Sequence, residues 1–293
     1  MGFSLSDLSS FTLEDSGLLI SKAVLGADLV DYIDVRPGYP EATVAVNVLG
    51  ATADFQNEAC GWTSGGSTNF TQITITNSTK SWKQSLCLAD LRDYWLSTQL
   101  DSSAYGENLP FEEQIANYMV AESRKSAEGV IGSQIITQVT VANGASQGAT
   151  GAFTSSTAYA RALEMIDALP LAVSNREDLM MFMSYASFRA LMTNLVALNL
   201  YHYHPGVSTG TGLGQSVVIP GTNITAVPVG GFGTSQRVIC GPSKHIVMVC
   251  GLTEDTDRND AWWSRDNQEM RMIAKYTNGV GVLVEEFSTN DLA

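Results

Sequence analysis

Residues 42–49, ATVAVNVL, and residues 73–79, ITITNST, decide how this chain is read. In the first stretch Val44, Val46 and Val48 alternate with Thr43, Ala45 and Asn47; in the second Ile73 and Ile75 alternate with Thr74 and Thr76. Strict alternation marks half-buried strands. Between them lie Gly61, Gly65 and Gly66, with the aromatics Phe55, Trp62 and Phe70. The stretch predicts a long hairpin within 37–85. A two-stranded ribbon is marginal in water by itself, so its apolar face needs cover. No helix-forming segment lies beside it in the sequence. The cover is then either later strands of the same chain, as in an ordinary sandwich, or a neighbouring copy.

The chain has 293 residues, enough for one large or two modest domains. Its 44% hydrophobic and 16% charged content suits a globular protein and not a disordered one. With 16 Lys plus Arg against 30 Asp plus Glu, the net charge is −14. Such a chain does not hold nucleic acid by neutralising phosphates, though it can stand beside nucleic acid as a wall that does not grip it. No apolar run reaches membrane-spanning length. Met1 to Ser10 lacks a basic leader region, so no secretory signal is expected. Cys60, Cys87, Cys240 and Cys250 show no C-x-x-C spacing, and the 3 histidines are scattered. Reduced thiols and no zinc site are the expectation. The N-x-[ST] triplets at Asn69, Asn77 and Asn223 read as chance matches without a leader.

Along the chain, residues 1–36 read as an arm, with a short helix over Leu18 to Val30. Arg36-Pro37-Gly38-Tyr39-Pro40 interrupts regular structure. Cys87 to Leu100 has helical spacing. A longer helix is predicted from about Leu109 to Val130, with Asn108 as cap, Pro110 in the first turn and Glu112 and Glu113 at the positive end of the dipole. Gly129 and Gly132 would end it. A strand at Ile135 to Val141, a helix at Thr157 to Leu169, a strand at Leu179 to Met183 and a helix at Tyr185 to Leu200 follow. Strands are then expected at Ile224 to Val229, Val238 to Cys240 and Ile246 to Cys250. Two more, Glu269 to Tyr276 and Gly281 to Phe287, would join at Thr277-Asn278-Gly279. Met180, Met181, Phe182, Met183 and Met192 read as core. Strands and helices mix without regular βαβ alternation, which indicates an α+β fold.

The order of these elements resembles the major capsid proteins of tailed bacteriophages, which have the HK97-type fold. Two passages carry most of the likeness: CLADLRDYWL (87–96) leading through LPFEEQI (109–115) to Gly132, and DNQEMRMIAKYTNGVGV (266–282). The resemblance implies an N-terminal arm at 1–36 and an extended β-hairpin loop at 37–85. It implies a peripheral domain with a spine helix at 86–132, an axial domain at 133–251 and returning peripheral strands at 252–293. It further implies a structural subunit without catalysis or cofactor, assembling into pentamers and hexamers of an icosahedral head around double-stranded DNA. The hairpin would lie on the next subunit, with Phe55, Trp62, Phe70, Trp82 and Trp263 as candidate inter-subunit contacts. The implied partners are copies of itself and portal, scaffolding and decoration proteins. The DNA would be enclosed without sequence-specific binding, and no membrane is involved. The location would be the virion, assembled in the bacterial host cytoplasm. An encapsulin-type compartment holding protein cargo shares this architecture and is the alternative. The short arm implies a separate scaffold.

Other chemistry is weaker. Gly144-Ala145-Ser146-Gln147-Gly148 matches the G-x-S-x-G nucleophile elbow, with Asp167, Asp178, His202, His204 and His245 following in hydrolase order. An elbow must lead directly into a helix, whereas Ala149-Thr150-Gly151-Ala152 reads as continued loop. His202 and His204 share a strand face but lack a third ligand at suitable spacing. Gly210 to Gly214 and Gly230 to Thr234 fail both nucleotide fingerprints and read as mobile loops; in the axial-domain position that the resemblance implies, they would line the centre of a ring. Some relatives in the resembled family weld neighbours through a lysine near the hairpin tip, and Gly50 to Gln72 contains none. Assembled particles should therefore run as a single band on a denaturing gel; a ladder of covalent multimers would contradict this.

Overall fold

The structure, a computed structural model, describes residues 28–38, 43–52, 67–87, 111–200, 216–251, 260–264, 266–267 and 269–290. The first strands in chain order are β1 (Asp34–Pro37), β2 (Thr43–Thr52), β3 (Ser67–Thr76) and β4 (Ser78–Cys87). The helix α1 (Phe111–Gln138), strand β5 (Ser146–Gln147), helix α2 (Ala158–Asp167), strand β6 (Leu179–Met183) and helix α3 (Tyr185–Ala197) follow. The chain continues with β7 (Val217–Val218), β8 (Thr225–Pro228), β9 (Ile239–Pro242), β10 (Ile246–Cys250), β11 (Asp260–Ser264), β12 (Glu269–Val282) and β13 (Ser288–Thr289). Short 3-10 turns cover Asp28–Asp31, Gly230–Phe232, Ser243–His245 and Val284–Glu286.

Strand β12 organises the first sheet. Along one edge it pairs antiparallel with β10 over Asn278 to Val282 and with β11 over Glu269 to Ile273. Along the other edge it pairs with β4 over Glu269 to Asn278. β1 extends the sheet by parallel pairing with β10. The second sheet has the order β5-β13-β9-β6-β8-β7, and the ribbon β2–β3 forms a sheet of its own.

Three apolar clusters hold these layers. In α1, Ala127, Ile131 and Ile135 lie at i, i+4 spacing and, with Val139 just beyond, form one buried stripe. That stripe packs on Met248, Cys250, Val280 and Val282 of the first sheet and on Phe182, Val227 and Ile239 of the second, so one helix closes a core common to both. A second cluster joins α2 and α3 to the second sheet through Met165, Met181, Met183, Leu191 and Leu195. Asn194, buried in α3, accepts from the Tyr159 N–H at 2.9 Å and so satisfies one orphan donor in the first turn of α2. The third cluster sets Val44, Val46, Ile73 and Ile75 of the ribbon on Val247 and Val249 of β10.

Of the two covers left open by the sequence, the base of the ribbon finds the first: it sits on later strands of its own chain, with Ile75 1% exposed. The seat is shaped by two glycines in β12. A Cβ on Gly281 would lie 2.5 Å from Ile75 Cγ1, and one on Gly279 would lie 2.8 Å from the Thr76 carbonyl oxygen. These glycines serve close approach of a second layer. They do not make the expected turn at Thr277-Asn278-Gly279, and Glu269 to Val282 is one continuous strand. The ribbon strands also run farther than the alternation suggested, to Thr52 and back from Ser67. Lys80 and Lys83, inside the expected hairpin span 37–85, lie instead on β4 and pair with β12.

Further differences follow from tertiary packing. Ile135 to Gln138 is helix and not the start of a strand, because Ile135 extends the i, i+4 stripe into the shared core. Gly132 does not end the helix: a Cβ there would lie 2.2 Å from the Gly231 carbonyl oxygen, so the residue admits a neighbouring backbone. Gly230–Phe232 is consequently a packed turn and not a mobile loop, with Phe232 3% exposed. Asp34–Pro37 is strand up to its proline, which ends an edge strand where its missing donor costs little. The helix at Leu18 to Val30 and the one at Cys87 to Leu100 fall almost wholly outside the described residues, as do the expected cap Asn108 and Pro110 of α1; Cys87 itself ends β4. Among the described residues no helix is long and apolar enough to cross a membrane.

Replacing Gly281 with Ala should cost about 1–3 kcal/mol through overpacking of the ribbon seat. Urea denaturation measures this, and adding Ile75→Val should recover part of the loss.

Candidate assembly surface

The ribbon is two-faced. Val44, Val46, Ile73 and Ile75 are buried, each worth about 1.5–3 kcal/mol in area terms. Thr43, Ala45, Asn47, Gln72, Thr74 and Thr76 are exposed on the other side. The Gln72 amide donates to Asn47 Oδ1 at 3.2 Å across the two strands. The pairing then continues out from the base, from Val48–Thr71 to Thr52–Ser67.

The candidate contact residues that the structure describes lie on three different strands. Phe55 and Trp62 lie outside the described residues. Phe70 stands opposite Leu49 on the ribbon backbone. Trp82 is on β4 opposite Ala274, and Trp263 is on β11 opposite Met270. The structure thus brings Trp82 and Trp263 to the two edges of β12 and places Phe70 on the separate ribbon. Reading aromatics alone overlooked the seat at Gly279 and Gly281. The available signal was the spacing of two, which sets small residues on one face of a strand.

The outer half of the first sheet carries cations. Lys83 opposes Ile273, with Arg271 and Lys275 at the diagonal positions. Arg271 Nε donates to Glu269 Oε1 at 2.7 Å, which holds the Glu269 carboxyl below its ordinary range, with a smaller contribution from Asn267. The surface of the second sheet is more apolar: Leu171, Val196, Leu198 and Leu200 are exposed around α2 and α3.

A charged group braces α1 against the packed turn. Arg124 is paired with Asp28. One helical turn later, Glu128 is buried and accepts from the Gly231 N–H at 3.1 Å. Burial raises the Glu128 carboxyl above its ordinary range, partly opposed by the Gly231 N–H, and the Asp28 charge adds to the rise.

The hydrolase arrangement does not form. Ser146 lies on β5 between the Phe287 carbonyl, to which its N–H donates at 2.8 Å, and a loop that reaches helix only at Ala158. The strand-to-helix elbow is absent. Asp178 is engaged by Arg176 at 2.8 and 2.9 Å, which holds its carboxyl low, and His245 is paired with Glu286. Asp167 ends α2, away from these pairs in sequence, and His202 and His204 lie outside the described residues. Among the described residues no three His, Cys, Asp or Glu side chains gather as a metal group. Cys240 is fully buried and its thiol is pushed up to about 12, so it is a packing residue.

No family model and no curated protein sequence matches the chain. Solved structures do. A chain of the satellite phage P4 procapsid with its size determination protein matches with a TM-score of 0.62 at 10% identity, covering 99% of this chain and 91% of that one. A capsid chain of a native GTA particle matches with a TM-score of 0.55 at 15% identity, over 92% and 89%. A virus-like particle from Pyrococcus furiosus matches with a TM-score of 0.50 at 9% identity, over 95% and 98%. The chain therefore has a capsid fold, shared along nearly its whole length at very low identity.

The elevated Glu128 carboxyl has a defined pH sign. A folded value above the unfolded one means the native state binds more protons, so stability from this group is full below about pH 4 and falls as pH rises through the raised value. Glu128→Gln should remove that fall. Melting curves should show the variant gaining on the parent between about pH 4 and 7.

Proposed function

We propose that this chain is the structural subunit of a closed protein shell, a major capsid protein of a tailed bacteriophage. The observation that carries the reading is the match to the phage P4 procapsid over 99% of the chain, ribbon and both sheets included. The finer assignment is HK97-like. The arm is 1–36, the extended hairpin 37–85, the peripheral domain 86–132 with 252–293, and the axial domain 133–251. A helix of 28 residues, α1, supports the spine. The sheet built around β12 supports the peripheral domain, and the six-stranded sheet with α2 and α3 supports the axial one.

In this reading the subunits form pentamers and hexamers around double-stranded DNA. Portal, scaffolding and decoration proteins are further partners. Phe70, Trp82 and Trp263 remain contact candidates, together with Phe55 and Trp62. The location is the virion, with assembly in the host cytoplasm. Acidic balance suits such a lining: at net charge −14 the wall repels phosphates and lets a packed genome slide. A head-to-tail contact repeated around a ring closes when the rotation fits. Each contact can be weak, since linked contacts raise the effective concentration for the next. The similarity to a virus-like particle from Pyrococcus furiosus favours a second reading, a shell around protein cargo of the encapsulin type.

Electron microscopy of the purified protein tests both. Closed particles with DNA support the viral head, and closed particles with protein inside support the compartment. A monomer at all concentrations contradicts the shell. Deleting Gly50 to Gln72 removes the outer ribbon but keeps its seated residues. The deleted chain should stay folded by circular dichroism and form no particles.

A further inference from the structure

A titratable cluster lies apart from the ribbon and its platform. Arg124 and Glu128 are one turn apart on α1, so both side chains stand on the same side of the helix. Arg124 is paired with Asp28 of the turn Asp28–Asp31. That turn leads through Leu29 and Ile33, both buried in the shared core, into β1 of the first sheet. Glu128 accepts from the Gly231 N–H at 3.1 Å, and Gly231 belongs to the turn between β8 and β9 of the second sheet. Two neighbouring side chains therefore tie one stretch of α1 to different sheets.

Among the described residues, four elements bring charged or polar groups to Glu128. Arg124 lies on its own helix and Asp28 on the turn before β1. The Gly230 and Gly231 N–H groups come from the second-sheet turn, and Tyr185 from the start of α3. Asp31 and Tyr32 stand beside Asp28. Burial and the Asp28 charge work against an ionised Glu128, whereas the two N–H groups and Arg124 favour it. While Glu128 is protonated, Asp28 has the guanidinium to itself. Once Glu128 ionises, two carboxylates compete for one guanidinium. The side chain of Asp28 is 21% exposed and can hydrate. Glu128 is 8% exposed, so an unpaired charge costs more there.

We propose that Arg124 is a proton-set switch: it bridges α1 to Asp28 while Glu128 is protonated, and turns to Glu128 when that carboxyl gives its proton to water, releasing the turn Asp28–Asp31 from the helix. The exchange moves the tether of this part of α1 from the first sheet to the second. The core survives it, because Leu29 holds the turn in the apolar cluster in both states. In the first state Asp28 is paired and a neutral Glu128 keeps the Gly231 N–H. In the second, Glu128 holds the guanidinium together with that N–H, and Asp28 turns to water. The switch is a property of one subunit and stands apart from the shell reading.

Hydrogen exchange in the full chain tests this. The Tyr32 N–H donates to the Leu29 carbonyl at 3.2 Å inside the released turn, and the Phe188 N–H donates to the Ser184 carbonyl at 2.9 Å in α3. Protection, corrected for the intrinsic rate, is followed between about pH 4 and 8. In the parent, Tyr32 should lose at least about tenfold in protection as pH rises through the raised Glu128 value, while Phe188 keeps its own. Glu128→Gln should hold Tyr32 at the protected level throughout, and Asp28→Asn should hold it at the parent's high-pH level throughout. A parent without the fall, a Glu128→Gln chain that falls like the parent, or a Phe188 that falls with Tyr32 overturns the proposal. Carbon-13 NMR of labelled glutamate gives a second reading. Arg124→Gln should move the Glu128 midpoint up and Asp28→Asn should move it down. A midpoint unchanged in both variants overturns the competition for Arg124.

Discussion

One strand carries the demands of the whole subunit. β12 pairs with β10 and β11 on one edge and β4 on the other, lies under α1 on one face and takes the ribbon on the other. Its sequence must change character along its length to do this. The first part, Glu269 to Tyr276, alternates Glu269, Arg271 and Lys275 with Met270, Met272, Ala274 and Tyr276, broken only by Ile273, as a half-exposed strand does. The last part, Gly279-Val-Gly-Val, puts valines toward the helix and nothing but hydrogen toward the ribbon. Glycine lowers strand stability by its entropy cost, and the burial of Ile73 and Ile75 against it offsets that loss. The chain thereby gains a platform on which an otherwise marginal ribbon can stand.

Much of this was legible from residue order. Strict alternation located both ribbon strands, and the continuous apolar run Leu179 to Met183 read correctly as a strand running into a helix. Ile246 to Cys250 was placed to the residue. What misled was glycine and β-branching. A glycine that turns a chain and one that admits a neighbour are identical in sequence, and only the second layer tells them apart. Gly132, Gly231, Gly279 and Gly281 are all of the second kind. Ile135 and Ile136 favour strands by propensity, yet the stripe set by Ala127 and Ile131 prevails because burial outweighs a preference of a few tenths of a kcal/mol.

The candidate surface was legible in outline. Alternation announced a ribbon in need of cover, and its base finds that cover within the chain. The aromatics at Phe55 and Trp62 lie outside the described residues, so the sequence remains the sole guide to them. Fold comparison adds the capsid fold. At 8–15% identity among such neighbours, shape persists where side-chain contacts have been replaced. That is expected when a core demands only pattern and volume.

Gln138, near the end of α1, has a mechanical consequence. β4 begins at Ser78, opposite Asn278, so past Asn278 that edge of β12 has no strand beside it among the described residues, and the Gln138 side chain takes its place. It donates to the Val280 carbonyl at 2.6 Å and accepts from the Val282 N–H at 3.2 Å. A single amide thus rivets the helix terminus to a specific rung of the sheet. Sliding or rolling there breaks both bonds together, so this end of α1 acts as a pivot. The C-terminal end of α1 is thereby held in one register against the sheet.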